Sequence, residues 1–174
     1  DASAYSDIPT LISELVSKVP DEQVYADLDA CIAWAQKNGG DANRIGITGF
    51  CWGGRLTWMY AAHNPQVKAA VAWYGKLSTG HGPLIHTMAL DIAGNLHAPV
   101  LGLYGAKDTS IPLADIQAMQ QKLSQGNAHS QASEFVVYPD AEHAFLADYR
   151  LSYQQAAAQD GWQRMLAWFE RHMR

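Results

Sequence analysis

Apolar positions along the chain change period several times, and each change marks an element. Val24, Leu28, Cys31, Ile32 and Ala35 recur at the three- and four-residue spacing of one helical face. The spacing predicts a helix opening at Asp21, a favoured N-cap type, and closing at Gly39. Cys31 reads there as a small core residue. Ahead of it, Pro9 and Pro20 bound an apolar stretch, Leu11–Val16, that fits a short helix. After a turn over 41–44, Ile45–Gly49 reads as a strand, Phe50–Gly54 as a tight turn and Leu56–His63 as a helix closed by Asn64-Pro65. Ala69–Tyr74 is a second strand. Residues 75–96 show little periodicity and read as a long connection with room for one helical turn.

Further on, Pro99–Tyr104 predicts a third strand. Ile116, Met119 and Leu123 predict a helix starting near Pro112, since proline suits the first helical position. Glu134–Tyr138 predicts a fourth strand. Trp162, Met165, Leu166 and Phe169 form an i, i+3, i+4, i+7 stripe on a last helix. Strands that are continuous apolar runs, alternating with helices, indicate an α/β fold with a mainly parallel sheet covered by helices.

Composition narrows the class. Of 174 residues, 48% are hydrophobic and 17% charged, against the ~25% charged usual for a soluble domain. This suits one domain over 1–174 that buries roughly 70% of its surface without a disulfide or metal. The net charge of −5 and the scattered Lys and Arg point away from nucleic acid. No apolar run reaches the ~18 residues of a membrane span. The first residues, Asp1 to Tyr5, show no signal-peptide pattern. With the free thiol of Cys51, this leads to the expectation of a cytoplasmic protein. The pattern fixes no oligomeric state.

The chemistry concentrates at Gly49-Phe50-Cys51-Trp52-Gly53-Gly54. A predicted strand precedes this block and a predicted helix follows it, as around the nucleophile elbow G-x-S-x-G, with cysteine in place of serine. Side chains two residues either side of the nucleophile would collide with backbone, which accounts for Gly49 and Gly53. At a helix N-terminus the thiolate of Cys51 is favoured, and the Trp52 N–H faces a developing oxyanion. On such a fold the acid and the histidine follow in that order. Asp108 lies just after the third strand and His143 just after the fourth. Taken singly, Cys51 also fits a buried turn cysteine, Asp108 a turn or cap residue and His143 a loop histidine. Their joint order favours catalysis. His81, His86 and His97 form no HxH or HExxH spacing, so no metal site is expected. His63 sits at a helix end, His129 in a polar loop and His172 in the last helix. Dinucleotide and Walker patterns are absent.

These segments resemble the dienelactone hydrolase (carboxymethylenebutenolidase) family of α/β-hydrolases. The resemblance runs through Gly49–Gly54, Ala72-Trp73-Tyr74-Gly75, Tyr104-Gly105-x-x-Asp108, Tyr138-Pro139-x-Ala141-x-His143-x-Phe145 and the run from Trp162 to Phe169. It implies a catalytic Cys51, Asp108 and His143, with Trp52 as oxyanion donor and Tyr74 lining the site. It also implies hydrolysis of small enol-lactones and esters through a thioester, without a cofactor. Trp52, Tyr74 and Phe145 then suggest an aromatic-lined cleft, and Arg150 a contact for a substrate anion, at a spacing from His143 that differs from the family's. The family's domain begins with strands that precede residue 1 here, so the chain matches roughly its C-terminal two-thirds. Those strands bring a second oxyanion N–H, a glutamate and an arginine with no counterpart in 1–174. Two alternatives stay open: a non-catalytic module that binds or oligomerises, and a thioesterase using the same three residues.

Overall fold

The computed structural model describes residues 4–5 and 7–174; the absence of a signal-peptide pattern at residues 1–3 concerns positions outside these. Four strands, β1 (Ile45–Phe50), β2 (Val67–Trp73), β3 (Val100–Gly105) and β4 (Glu134–Tyr138), form one sheet in the order β1-β2-β3-β4. All three pairings are parallel. The helices are α1 (Ile8–Glu14), α2 (Asp21–Lys37), α3 (Trp52–His63), α4 (Ala89–Ile92), α5 (Leu113–Ser124), α6 (Ala128–Gln131) and α7 (Gln155–His172).

Register assigns the two faces. Ile47, Gly49, Ala70, Ala72, Gly102, Tyr104 and Phe135 share one face, because side chains alternate along a strand and partners in a ladder agree. Helix α3 covers it, with Trp58 stacked 5.4 Å from Phe135. The opposite face holds Val71, Trp73 and Leu103 and receives α7. There a Cβ on Gly161 would fall 2.7 Å from the Trp73 ring, so only glycine lets the helix sit this close. β2 is buried from Ala69 to Trp73, as a strand covered on both sides must be.

Several elements depart from the sequence pattern, each for a local reason. α1 starts at Ile8, ahead of the apolar stretch, because Asp7 caps it by accepting from Thr10 N at 2.8 Å and Pro9 fits the first turn. α3 begins at Trp52, which shrinks the turn before it to Cys51 alone. The connection after β2 contains α4 and a 3₁₀ turn at Ala93–Asn95. His129 lies in α6, whose N-cap Asn127 accepts from Ser130 N. Pro112 is the N-cap of α5.

Two core assignments are corrected. Cys31 is exposed. α2 packs through Tyr25, Leu28 and Ile32 against Tyr60, Val67 and Ala98, and Cys31 falls outside that arc. On α7, Trp162 (47% exposed) and Leu166 (53%) face outward. Its buried face is Ala157, Ala158, Gly161, Met165 and Trp168, because the close approach of Gly161 to Trp73 sets the rotation of the helix.

Asp21 is not a cap either. Pro20 takes that position, and the Asp21 carboxylate forms a two-pronged ion pair with Arg55 of α3 at 2.8 and 2.7 Å. Arg55, 1% exposed, also donates to Thr87 O at 2.7 Å, tying α2, α3 and the segment before α4 together.

Candidate active site

Each strand delivers one position to the same edge of the sheet. Cys51 follows β1, Tyr74 follows β2, and Asp108 and His143 lie in the turns after β3 and β4. This is the carboxyl edge, where parallel α/β sheets carry their ligands.

Cys51 is held in a backbone conformation that side chains rarely adopt, φ 54° and ψ −112°. Its N–H donates to Trp73 O at 3.0 Å and its carbonyl accepts from Arg55 N at 3.1 Å, so both strand and helix hold the turn. The clearance comes from Gly49, Gly54 and Gly75. A Cβ on Gly49 would lie 2.3 Å from Gly53 O, one on Gly54 2.3 Å from Trp73 O and one on Gly75 2.2 Å from Arg55 N. Gly53, expected from the motif to relieve crowding, faces open space among the described residues. The close approach is between α3 and the end of β2, at Gly54.

His143 Nδ1 lies 2.6 Å from Asp108 Oδ2. The Asp108 side chain is 1% exposed and that of His143 31%. With Nδ1 committed to Asp108, the ring's other nitrogen is left for Cys51, to which His143 is electrostatically coupled. Burial works against charge on all three groups, and their mutual contacts overcome it. Burial alone would raise the Cys51 thiol. The hydrogen bond and charge of His143, the Trp52 N–H and the charge of Arg150 bring it below its ordinary value. Burial would lower His143, yet hydrogen bonds and charges from Asp108 and Cys51 push it up to about 9. Burial would raise Asp108, and bonds from His143 and Ser110 hold it below the usual carboxylate range. The arrangement favours a thiolate facing an imidazolium.

The remaining sequence candidates surround this core unevenly. Trp52 opens α3, and its N–H contributes to lowering the Cys51 thiol. Tyr74, also at positive φ (37°), is 3% exposed and meets the His143 ring edge-on at 5.1 Å. Phe145 is 0% exposed and packs 5.3 Å behind Tyr74, so it supports the tyrosine and does not line an open cleft. Arg150 is exposed, with its guanidinium 5.7 Å from the Tyr149 ring centre and its charge felt at both Cys51 and Tyr74. Ser110, which the sequence pattern did not single out, donates to Asp108 Oδ1 from both its hydroxyl (2.6 Å) and its N–H (2.9 Å). An Asp-x-Ser turn carries the signal for such bonding. Among the described residues, no group of three or more His, Cys, Asp or Glu is arranged to hold a metal, and no helix is long and apolar enough to cross a membrane.

Opposed shifts make a pH prediction. A thiolate–imidazolium pair is lost at low pH when Cys51 protonates. It is lost at high pH when His143 gives up its proton. A reaction that depends on this pair, read in single turnover of an activated ester, is expected to gain rate below the ordinary thiol value of 9.0 and to lose it near about 9, the two limbs belonging to the pair jointly. A rate that begins to rise only near an ordinary thiol's value would contradict the pairing.

Comparison with known proteins bears on the same residues. A model described as "Dienelactone hydrolase family" matches residues 1–173. A "Putative carboxymethylenebutenolidase" of Salmonella typhimurium is 60% identical over 172 residues, covering 99% of this chain and 63% of that protein. A "Probable 2-oxo-3-(5-oxofuran-2-ylidene)propanoate lactonase" of Bradyrhizobium is 30% identical over 163 residues, covering 91% and 63%. The chain therefore spans about three-fifths of the length of the curated relatives it matches. A crystal structure of a "Putative Dienelactone Hydrolase" from Klebsiella pneumoniae superposes with a TM-score of 0.91 at 61% identity, over 97% of this chain and 69% of that one. An esterase of Pyrococcus furiosus, 17% identical with a TM-score of 0.69, shares the fold. By sequence over almost its whole length, and by its parallel sheet, this chain belongs to the dienelactone hydrolase family.

Proposed function

We propose that this protein hydrolyses small esters and lactones, enol-lactones of the dienelactone type among them, with Cys51 as nucleophile, His143 as acid and base, and Asp108 as its orienter. The observation that carries the proposal is His143 held 2.6 Å from a buried Asp108 and electrostatically coupled to a cysteine on a strained strand-to-helix turn.

The Cys51 thiolate adds to the carbonyl carbon, and the oxygen takes up negative charge beside the Trp52 N–H. One such donor contributes about 2.7–4 kcal/mol. Collapse breaks the bond to the alcohol or enol oxygen, which leaves with the proton of the His143 imidazolium. The acyl group remains as a thioester on Cys51. Neutral His143 then removes a proton from water, hydroxide adds to the thioester carbon, and the sulfur departs as thiolate. Asp108 holds the ring throughout. Arg150, whose charge reaches Cys51, is the proposed contact for a substrate carboxylate. In this scheme residues 1–174 act as one unit, corresponding to roughly the C-terminal two-thirds of the family's domain, and a cytoplasmic setting keeps the thiol reduced.

The test is a burst experiment with a small activated aryl ester, followed by intact mass. A rapid burst with an acyl adduct on the Cys51 peptide is expected. Turnover without any adduct on that peptide would refute covalent catalysis by this residue.

A further inference from the structure

We propose that Ser110 is a positioning residue of the site: its hydroxyl and backbone N–H together occupy Asp108 Oδ1, confining the carboxylate's bond with His143 to Oδ2. This rests on the cysteine–histidine–aspartate scheme above and names a residue that scheme does not use.

The geometry is specific. Ser110 Oγ donates to Asp108 Oδ1 at 2.6 Å and Ser110 N to the same oxygen at 2.9 Å. Asp108 Oδ2 is 2.6 Å from His143 Nδ1, and Ser110 Oγ stands 3.4 Å from that nitrogen. The terminal torsion of aspartate is broad and two-fold, so a carboxylate alone presents either oxygen. Solvent cannot hold this one, since its side chain is 1% exposed. Two donors on Oδ1 remove the symmetry. Nδ1 is then bound to Oδ2 and the far ring nitrogen is turned to Cys51.

The second effect is electrostatic. Hydrogen bonds to a carboxylate favour its charged form and weaken its pull on a neighbouring proton. Asp108 shielded by Ser110 holds the His143 imidazolium less tightly than a bare carboxylate would. That matters after acylation, when His143 must be neutral to accept a proton from water. The other groups whose charge is felt at His143 are Cys51 and His81, and at Asp108 Tyr104. None of them is altered by a change at Ser110.

Ser110 is exposed, so removing its oxygen opens no cavity. The turn keeps its backbone bonds, Asp108 N to Gly105 O and Ile111 N to Asp108 O, both 3.3 Å. A change in catalysis would thus arise at Asp108 and not from unfolding.

The experiment compares Ser110→Ala, Ser110→Thr and Cys51→Ala with the parent protein. Burst, steady-state turnover and His143 titration by NMR are followed in each. Ser110→Ala is expected to keep the burst and kcat/KM, to titrate His143 about one pH unit higher and so to lose about tenfold in neutral-pH turnover, with KM falling alongside. Ser110→Thr, which keeps the hydroxyl, restores both. An unmoved His143 titration in Ser110→Ala, or a threonine variant no better than alanine, overturns the role of Ser110. A burst persisting in Cys51→Ala overturns the underlying scheme instead, so the two failures are separate.

Discussion

Cys51→Ala is expected to cut kcat by about 10⁶-fold, the scale on which removal of a nucleophile acts in a triad. Alanine keeps the Cβ, so the strained φ of 54° and the Trp73 and Arg55 backbone bonds persist, and the thermal midpoint should barely move. What vanishes is the atom that forms the thioester. Because nucleophile and base act as one unit, Cys51→Ala/His143→Ala should be no slower than Cys51→Ala alone. The measurement is single-turnover ester cleavage by the single and double variants. Independent, multiplying losses would mean that the two side chains do not act together. Residual activity of Cys51→Ala within tenfold of the parent would remove cysteine from the mechanism altogether.

Arg55→Ala carries the largest expected loss of stability, about 3–5 kcal/mol. The change leaves Asp21, 7% exposed, without its guanidinium, and leaves Thr87 O without a donor. A buried charge stripped of its partner is costly because neither water nor another donor replaces it. The pair itself is a weaker asset than that figure suggests, since desolvating two charges offsets much of their attraction. Arg55 Nε, moreover, has no hydrogen-bond partner among the described residues. Replacing both partners by apolar side chains, Asp21→Leu/Arg55→Met, should therefore recover most of the loss. Denaturant midpoints of the three variants decide it. An Arg55→Ala protein within about 1 kcal/mol of the parent would show that the ion pair does not anchor α2.

Much of the fold was legible because its signals are local. The apolar runs of β2 and β3 needed no partner to be recognised, since a strand buried on both faces must be apolar throughout. The order of Cys51, Asp108 and His143 was legible for a related reason: in a parallel sheet every strand's carboxyl end falls on one edge, so residues just after three strands converge. Register and rotation were not legible. Trp162 and Leu166 satisfy a helical stripe as well as the residues that are buried, and only Gly161 against Trp73 decides which face turns inward. Asp21 looks like a cap until Arg55, far along the chain, is brought beside it. Cys31 lies within an apolar pattern yet outside the arc that packs.

The sequence by itself determined the alternation of strand and helix, the glycine-flanked cysteine at a strand-to-helix turn and the family to which the chain belongs. The first two follow from hydrophobic period and from backbone freedom at glycine, which are properties of neighbouring residues, and the family from the motifs that the chain shares with it. The tertiary structure alone decided that Gly54, not Gly53, makes room for the turn, that Phe145 lies beneath Tyr74, and that Ser110 rests on Asp108. Each of these depends on the distance between atoms of separate turns or elements, and that distance is set only when the helices close on the sheet.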